Sequence, residues 1–147
     1  MWVYAREGFF SIVLDSDQRD PEFPIVIRAR VRDDLIALQA AVSVPWGFPT
    51  EIPGRDYPYR VYVSRAELGQ VMAHWAETLD YSNFKDAVKA LQGYARASLY
   101  SRVWSVMYGA EEALAEIKAG RNPFEATKQL SFSTLPPAPR KRKRGKA

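Results

Sequence analysis

The chain is expected to fold as an α+β domain: a mostly antiparallel four-stranded sheet with helices packed on one face, in the order β-β-β-α-β-α-α-α. Three observations predict it. Three short apolar runs precede any helical pattern, and short connections join antiparallel neighbours, not parallel ones. A fourth run, Tyr59-Arg60-Val61-Tyr62-Val63, leads straight into a helix-start signal. From there to about residue 118 the apolar residues recur at helical spacing.

The elements follow in order. Trp2-Val3-Tyr4-Ala5 and Phe9-Phe10-Ser11-Ile12-Val13-Leu14 flank the turn signal Arg6-Glu7-Gly8 and read as a β-hairpin. In its second strand Phe10, Ile12 and Leu14 share the more apolar face and should look inward. Asp15 to Pro24 is a polar loop. Ile25 to Val31 then alternates, with Ile25, Ile27, Ala29 and Val31 on one face and Val26, Arg28 and Arg30 on the other. That strand presents two arginines to solvent or to a ligand.

Asp33 or Asp34 starts the next helix, carried by Leu35, Leu38, Ala41 and Val42. Residues 43–58 read as a loop, rich in Pro and Gly. Its Trp46, Phe48 and Tyr57 argue that it packs down on the body. After the fourth strand, Ser64-Arg65-Ala66-Glu67 spells a capping box, with Val63 and Leu68 as a hydrophobic staple. The helix that follows carries Leu68, Val71, Met72, Trp75 and Leu79 on one stripe. Phe84, Val88 and Leu91 mark a short helix ended near Gly93, with Ser82 or Asp80 as its cap. One long helix is expected from Tyr94 to about Lys118, with a core stripe of Leu99, Val103, Val106, Ala110, Leu114 and Ile117. Tyr100, Trp104 and Tyr108 recur on its flank and widen the apolar arc, so the helix is either central, touched on several sides, or partly used as an interaction surface. Asn122 and Pro123 open a last short segment. Residues 1–130 are thus expected as one compact domain. Residues 131–147 are dominated by Ser, Thr and Pro before a basic end, and are expected to be a disordered linker and tail.

Charge is divided along the chain. The 147 residues carry 21 basic and 17 acidic side chains, a net +4. Six of the positive charges lie in the terminal run Arg140, Lys141, Arg142, Lys143, Arg144 and Lys146. Without them 15 basic residues face 17 acidic ones, so the body carries −2. The tail would bind phosphates by releasing their counterions, independently of sequence.

Composition removes several chemistries. With no cysteine there are no disulfides, thiolate metal sites or Cys nucleophiles, and with a single histidine there is no multi-His metal site. His74 lies off the core stripe of its helix and reads as a surface or boundary residue, with Glu77 an ordinary neighbour at i+3. Asp15, Asp17 and Asp20 share a loop but lack the glycine and closing glutamate of a calcium loop. Asp33-Asp34 is explained by the start of a helix. No Gly-rich phosphate loop is present. Neither a cofactor nor a metal is expected. Arg6-Glu7-Gly8-Phe9-Phe10-Ser11-Ile12-Val13 loosely echoes the strand motif by which RNA-recognition domains stack bases. Tyr59, Tyr62, Arg28 and Arg30 would extend it into an aromatic and basic sheet face. Phe10 occupies the position of the second small residue, however, and the β-β start is the wrong order for that fold. No signal peptide and no membrane-spanning run is recognised, which together with the missing cysteines suggests the cytoplasm and no membrane partner.

Several segments together resemble a family of small, uncharacterised bacterial proteins. They are Met1-Trp2-Val3-Tyr4 with Gly8-Phe9-Phe10-Ser11-Ile12-Val13, then Asp56-Tyr57-Pro58-Tyr59-Arg60, Asp80-Tyr81-Ser82-Asn83-Phe84-Lys85 and Val103-Trp104. The likeness spans roughly residues 1–110. It implies a bacterial, cytoplasmic, single-domain protein. It brings no assigned activity and no catalytic residue, and the basic tail lies outside it.

The functional expectation is a non-enzymatic binding module. Arg140–Lys146, with Arg28 and Arg30, would contact nucleic acid or an acidic partner. The alternative is a protein-interaction or structural subunit, a homodimer included, using Tyr100, Trp104 and Tyr108. An enzyme would need two close carboxylates in a deep pocket, or Arg60 with Tyr59 or Tyr62, and no motif singles out such a pair.

Overall fold

A computed structural model describes residues 1–16 and 20–121. The expected boundary near residue 130, the Asn122-Pro123 segment, Asp17 and the whole basic tail lie outside the described residues. The described residues divide into two compact units, one within Met1–Arg102 and one from Val103 to residue 121.

The first unit is α+β with an antiparallel sheet. The strands are β1 (Trp2–Tyr4), β2 (Phe9–Leu14), β3 (Ile25–Ala29), β4 (Thr50–Glu51) and β5 (Tyr59–Val63). They lie side by side in the order β1-β2-β3-β5-β4, each antiparallel to its neighbour. The sheet thus has five strands where four were expected. β4 sits inside the segment read as a loop. Two residues cannot show a period of two, so nothing in the pattern announces it. The connection back to β5 closes by the Ile52 amide donating to the Pro58 carbonyl at 2.8 Å and turns through Gly54 at φ +77°.

Register fixes the two faces. Phe10 pairs with Ala29, Ile12 with Ile27, and Ala29 and Ile27 in turn with Tyr59 and Val61. This is the face on which the apolar alternation concentrates, and it is the core. Leu14 belongs to the same row but is exposed at the strand end. Two helices cover this face: α1 (Arg32–Val42) with Leu35 and Leu38, and α2 (Arg65–Glu77) with Val71, Leu68 and Trp75. Val44 and Trp46 from the following loop join the same cluster, as expected of Trp46, whereas Phe48, expected to pack down with it, is exposed. Burying each large side chain here contributes about 1.5–3 kcal/mol. The α2 capping box forms as read: the Glu67 amide donates to Ser64 Oγ at 3.2 Å and the Ser64 amide to Glu67 Oε2 at 2.6 Å.

The helices do not all lie on one face. α3 (Phe84–Gln92) and α4 (Tyr94–Tyr108) contribute Phe84, Val88, Ala97 and Tyr100 to a second cluster. Its partners in the sheet are Tyr4 and Phe9, a cross-strand pair whose side chains alternate with Phe10 and so point to the opposite face. Asn83, rather than Ser82 or Asp80, caps α3, its Oδ1 accepting from the Lys85 amide at 3.0 Å.

These parts converge on the β1–β2 turn. Ala5 and Gly8 exchange both backbone hydrogen bonds, at 2.9 and 3.3 Å, so only Arg6 and Glu7 form the connection. The Phe9 amide donates to Asp34 Oδ2 at 3.1 Å. Arg96 of α4 donates to both Asp34 oxygens, at 3.2 and 2.6 Å. Arg6 reaches Asp80 Oδ1 at 2.9 Å and the Thr78 carbonyl at 3.0 Å, and Gln92 donates to the Arg6 carbonyl. Asp34, expected as a helix-start residue, is therefore 3% exposed and clasps the hairpin instead of capping α1. Gly8 is held by that contact. A Cβ there would lie 2.4 Å from Asp34 Cβ.

The second unit, over its described residues, comprises the end of α4 and α5 (Ala110–Lys118). The single helix expected over 94–118 is interrupted at Gly109, whose weak helix propensity permits the break.

Two glycine substitutions test this account. Gly8→Ala is expected to lose about 1–3 kcal/mol of stability by overpacking against Asp34. Gly69→Ala, inside α2 with open space at its Cβ, is expected to gain up to about 1 kcal/mol from helix propensity. Urea unfolding of both variants reads the difference, and equal effects would contradict the packing at Gly8.

Candidate functional site: a cationic and aromatic sheet face

The sheet face opposite the α1–α2 core carries the chemistry. Along one row, Trp2 pairs with Ser11, Ser11 with Arg28, Arg28 with Arg60 and Arg60 with Thr50. A neighbouring row is Val13, Val26 and Tyr62. Strand alternation therefore puts Arg28, Arg60, Trp2 and Tyr62 on one surface. Arg30 follows β3, and Tyr57 precedes β5.

Tyr57 is the anchor, 6% exposed. The guanidinium carbons of Arg28 and Arg30 each stand 5.0 Å from its ring centre. Arg60 Nε donates to the Tyr57 carbonyl at 3.3 Å. Phe9 leans on the same ring at 6.1 Å, and Trp2 meets Phe9 edge-on at 6.0 Å. Arg28 also donates to the buried Ser11 hydroxyl at 2.7 Å, while its Nε is enclosed without a partner. Arg30 pairs with Asp56 at 2.7 Å. Among the described residues neither Arg28 nor Arg60 has a carboxylate in ion-pair range. Among the described residues only one of the three guanidiniums, that of Arg30, thus has a carboxylate partner, beside a Trp2 ring that is 69% exposed.

The arrangement is suited to oxyanions. A guanidinium fork matches two oxygens of a phosphate, and stacking on Tyr57 holds the Arg28 and Arg30 forks in place without neutralising them. Tyr4 at the edge of this face is stacked on Phe9 at 4.5 Å. Burial raises its hydroxyl above the ordinary value, Tyr57 adds to the rise, and Arg30 opposes it.

Several sequence expectations are relocated. Arg28 and Arg30 occupy the face expected, Arg28 half-buried and Arg30 exposed. Tyr59 does not join them, because it pairs with Ala29 on the core face. Arg60 and Tyr57 take its place. Arg60 was legible from the alternation of Tyr59 to Val63. Tyr57 was not, since it precedes the strand and no periodicity reaches it. Tyr100, expected on an interaction surface, is corrected to the interior. It is 5% exposed, stacked on Phe84 at 5.8 Å and edge-on to Tyr4 at 5.3 Å. Of the expected core stripe of that helix, Leu99, Val106, Leu114 and Ile117 are exposed and Val103 and Ala110 half-buried. Trp104 and Tyr108 lie at the surface as read, their rings stacked at 5.2 Å. His74 faces Glu7 at 3.7 Å, not Glu77. Arg140, Lys141, Arg142, Lys143, Arg144 and Lys146 lie outside the described residues.

Among the described residues no cluster of His, Asp and Glu is arranged to hold a metal ion, and no helix is long and apolar enough to cross a membrane. Compared with protein-family models, curated proteins and solved structures, the chain gives no match.

Tyr100 supplies a direct test of the interior assignment. Burial pushes its hydroxyl up to about 12, against the pull of the Arg96 guanidinium. An unfolded tyrosine ionises near 10.0, so the folded chain holds this proton longer. The corresponding stability is intact below pH 10.0 and is lost as pH rises toward about 12. Tyr100→Phe removes a buried hydroxyl beside the Arg96 guanidinium, so it is expected to change stability at neutral pH by no more than about 1 kcal/mol. It should also flatten the alkaline decline. Denaturant unfolding below and above pH 10.0 measures both, and an unchanged alkaline slope would place Tyr100 at the surface after all.

Proposed function

We propose that the chain is a non-enzymatic binding module for nucleic acid, which docks on the sheet face through Arg28, Arg30, Arg60 and Trp2. The observation that carries this reading is the in-register pair Arg28–Arg60, two guanidiniums on adjacent strands with no carboxylate partner among the described residues. Such cations cost stability by mutual repulsion. A phosphate backbone relieves it. Trp2 supplies a π-face for a base beside them, and single strands offer bases to such platforms without sequence preference. The tail Arg140–Lys146 adds cations that hold the same polymer electrostatically. An acidic protein would satisfy the arginines but not use the exposed Trp2 ring. The reading implies a cytoplasmic protein with no metal and no cofactor.

A second reading is favoured by a separate observation. In the second unit Trp104, Val106, Met107, Tyr108, Leu114 and Ile117 are all exposed among the described residues. An apolar surface of that kind marks a protein contact, and self-association is its simplest form.

Two measurements separate them. In fluorescence anisotropy with a short labelled single strand, the full chain is expected to bind with a steep salt dependence. Arg60→Ala should lower that salt slope by about one. Trp2→Ala should weaken binding by about 1–3 kcal/mol with the slope unchanged. Absence of binding at low salt, or a slope indifferent to Arg60, defeats the first reading. For the second, light scattering across concentrations is expected to show a dimer that Tyr108→Glu dissociates. A monomer at every concentration removes it.

A further inference from the structure

A groove of about 980 Å³ lies between α1 and α3 in the first unit. It shares no residue with the cationic sheet face. Its walls are the small side chains Ala37 and Ala41 of α1 and Ala87 and Ala90 of α3, with Leu91 at the end of α3. Successive turns bring these alanines to one side of each helix. Their smallness is what leaves the space. Glu7 and His74 form part of the lining, and Tyr81 lies at the end where Arg6 covers its ring at 5.5 Å.

The charge around this space is unbalanced. Four carboxylates line it, from Glu7, Asp33, Asp34 and Asp80, against the two guanidiniums of Arg6 and Arg96. Both guanidiniums are already committed, Arg6 to Asp80 at 2.9 Å and Arg96 to Asp34 at 2.6 Å. Glu7 and Asp33 remain. Glu7 is 7% exposed, and its carboxylate accepts one hydrogen bond, from Trp75 Nε1 at 3.3 Å. The imidazole beside it stops at 3.7 Å, and His74 Nε2 is enclosed with no hydrogen-bond partner. The Glu7 charge is therefore only partly answered. Asp33 is exposed and has neither an ion pair nor a side-chain hydrogen bond among the described residues. Buried Glu7 is shielded from solvent, so its charge acts over a longer distance than that of exposed Asp33 at the rim.

We infer that this groove binds an organic ammonium ion with an apolar body. The alanine walls take the hydrocarbon and the Glu7–Asp33 field takes the charge. The volume is that of an ordinary small-molecule site. A carboxylate or phosphate ligand meets repulsion here, since neither arginine is free to receive it. An uncharged ligand gains only the walls. The groove and the sheet face thus select opposite charges, so failure of nucleic-acid binding leaves this inference standing, and the reverse also holds.

The test uses the full chain and three probes of matched length: n-hexylammonium, n-hexanol and hexanoate. Amide resonances followed by NMR are expected to shift saturably with hexylammonium, centred on Ala37, Ala87 and Leu91. Hexanol should bind about tenfold more weakly or worse, and hexanoate should not bind. Asp33→Asn, at an exposed unpaired side chain, is expected to weaken hexylammonium by about threefold to tenfold while leaving the fold intact. Ala90→Leu, on the exposed part of the wall, is expected to narrow the groove and reduce binding of both hexylammonium and hexanol. Equal affinity for hexanol, preference for hexanoate, shifts centred elsewhere, or silence from all three probes would each overturn the inference.

Discussion

The structure of the first unit depends on one constraint: the β1–β2 turn must carry no side chain at residue 8, because Asp34 occupies that space. The Asp34 carboxylate takes the Phe9 amide on one side and the Arg96 fork on the other. It therefore ties a strand, the start of α1 and the start of α4 at one point. Burial raises the pKa of Asp34 against the Phe9 amide and Arg96, and the Asp33 charge adds to the rise. A buried pair of this kind adds little net stability. It does fix geometry, since removing either partner strands a charge in the interior at a cost of about 3–5 kcal/mol.

That geometry sets what the sheet presents. Side chains alternate, so a slip of one residue between β2 and β3 would carry Arg28 to the core face and Ile27 outward. The clasp at Phe9 and the apolar rows beyond it forbid the slip. The cationic face is thus the reverse side of the hydrophobic core, and its register is fixed by the clasp at Phe9 together with the apolar rows of the core. Arg28 shows the coupling most directly. It bonds the hydroxyl of Ser11 on β2, rests on Tyr57 ahead of β5, and lies opposite Arg60 on β5.

What the sequence disclosed follows from range. Strands β1, β2, β3 and β5, the capping box of α2 and the inward face of β2 were legible, since each rests on neighbours a few residues apart. Arg28 and Arg30 were legible for the same reason. β4 was too short to show a pattern. Tyr100 was misplaced because α4 carries apolar residues around much of its circumference. Local periodicity could not tell Tyr100 and Ala97, which are buried, from Leu99 and Val106, which are not. The partners of Tyr100 are Phe84, sixteen positions away, and Tyr4, ninety-six away, beyond any local signal. Asp34 was misread in the same way. Two acids at the start of a helix have a sufficient local explanation, and only the fold shows that Arg96 comes to meet one of them. His74 and Glu7 are sixty-seven positions apart and meet only because the turn folds down onto α2.

The groove and the sheet face then belong to one division of charge. Arg28 and Arg60 stand side by side on one face of the sheet, while Glu7, Asp33, Asp34 and Asp80 line the groove between α1 and α3. Random placement of surface charge would mix the signs and let them pair, as Arg30 does with Asp56 and Arg6 with Asp80. Among the described residues, separation instead leaves Arg28 and Arg60 without carboxylate partners and Asp33 without a cation, while Glu7 has only His74 at 3.7 Å. Each separated group costs stability in the isolated chain, and under the two proposals a ligand of opposite sign recovers that cost. A fold that holds unlike charges apart, on surfaces tied to the same clasped turn, is what the two proposals have in common.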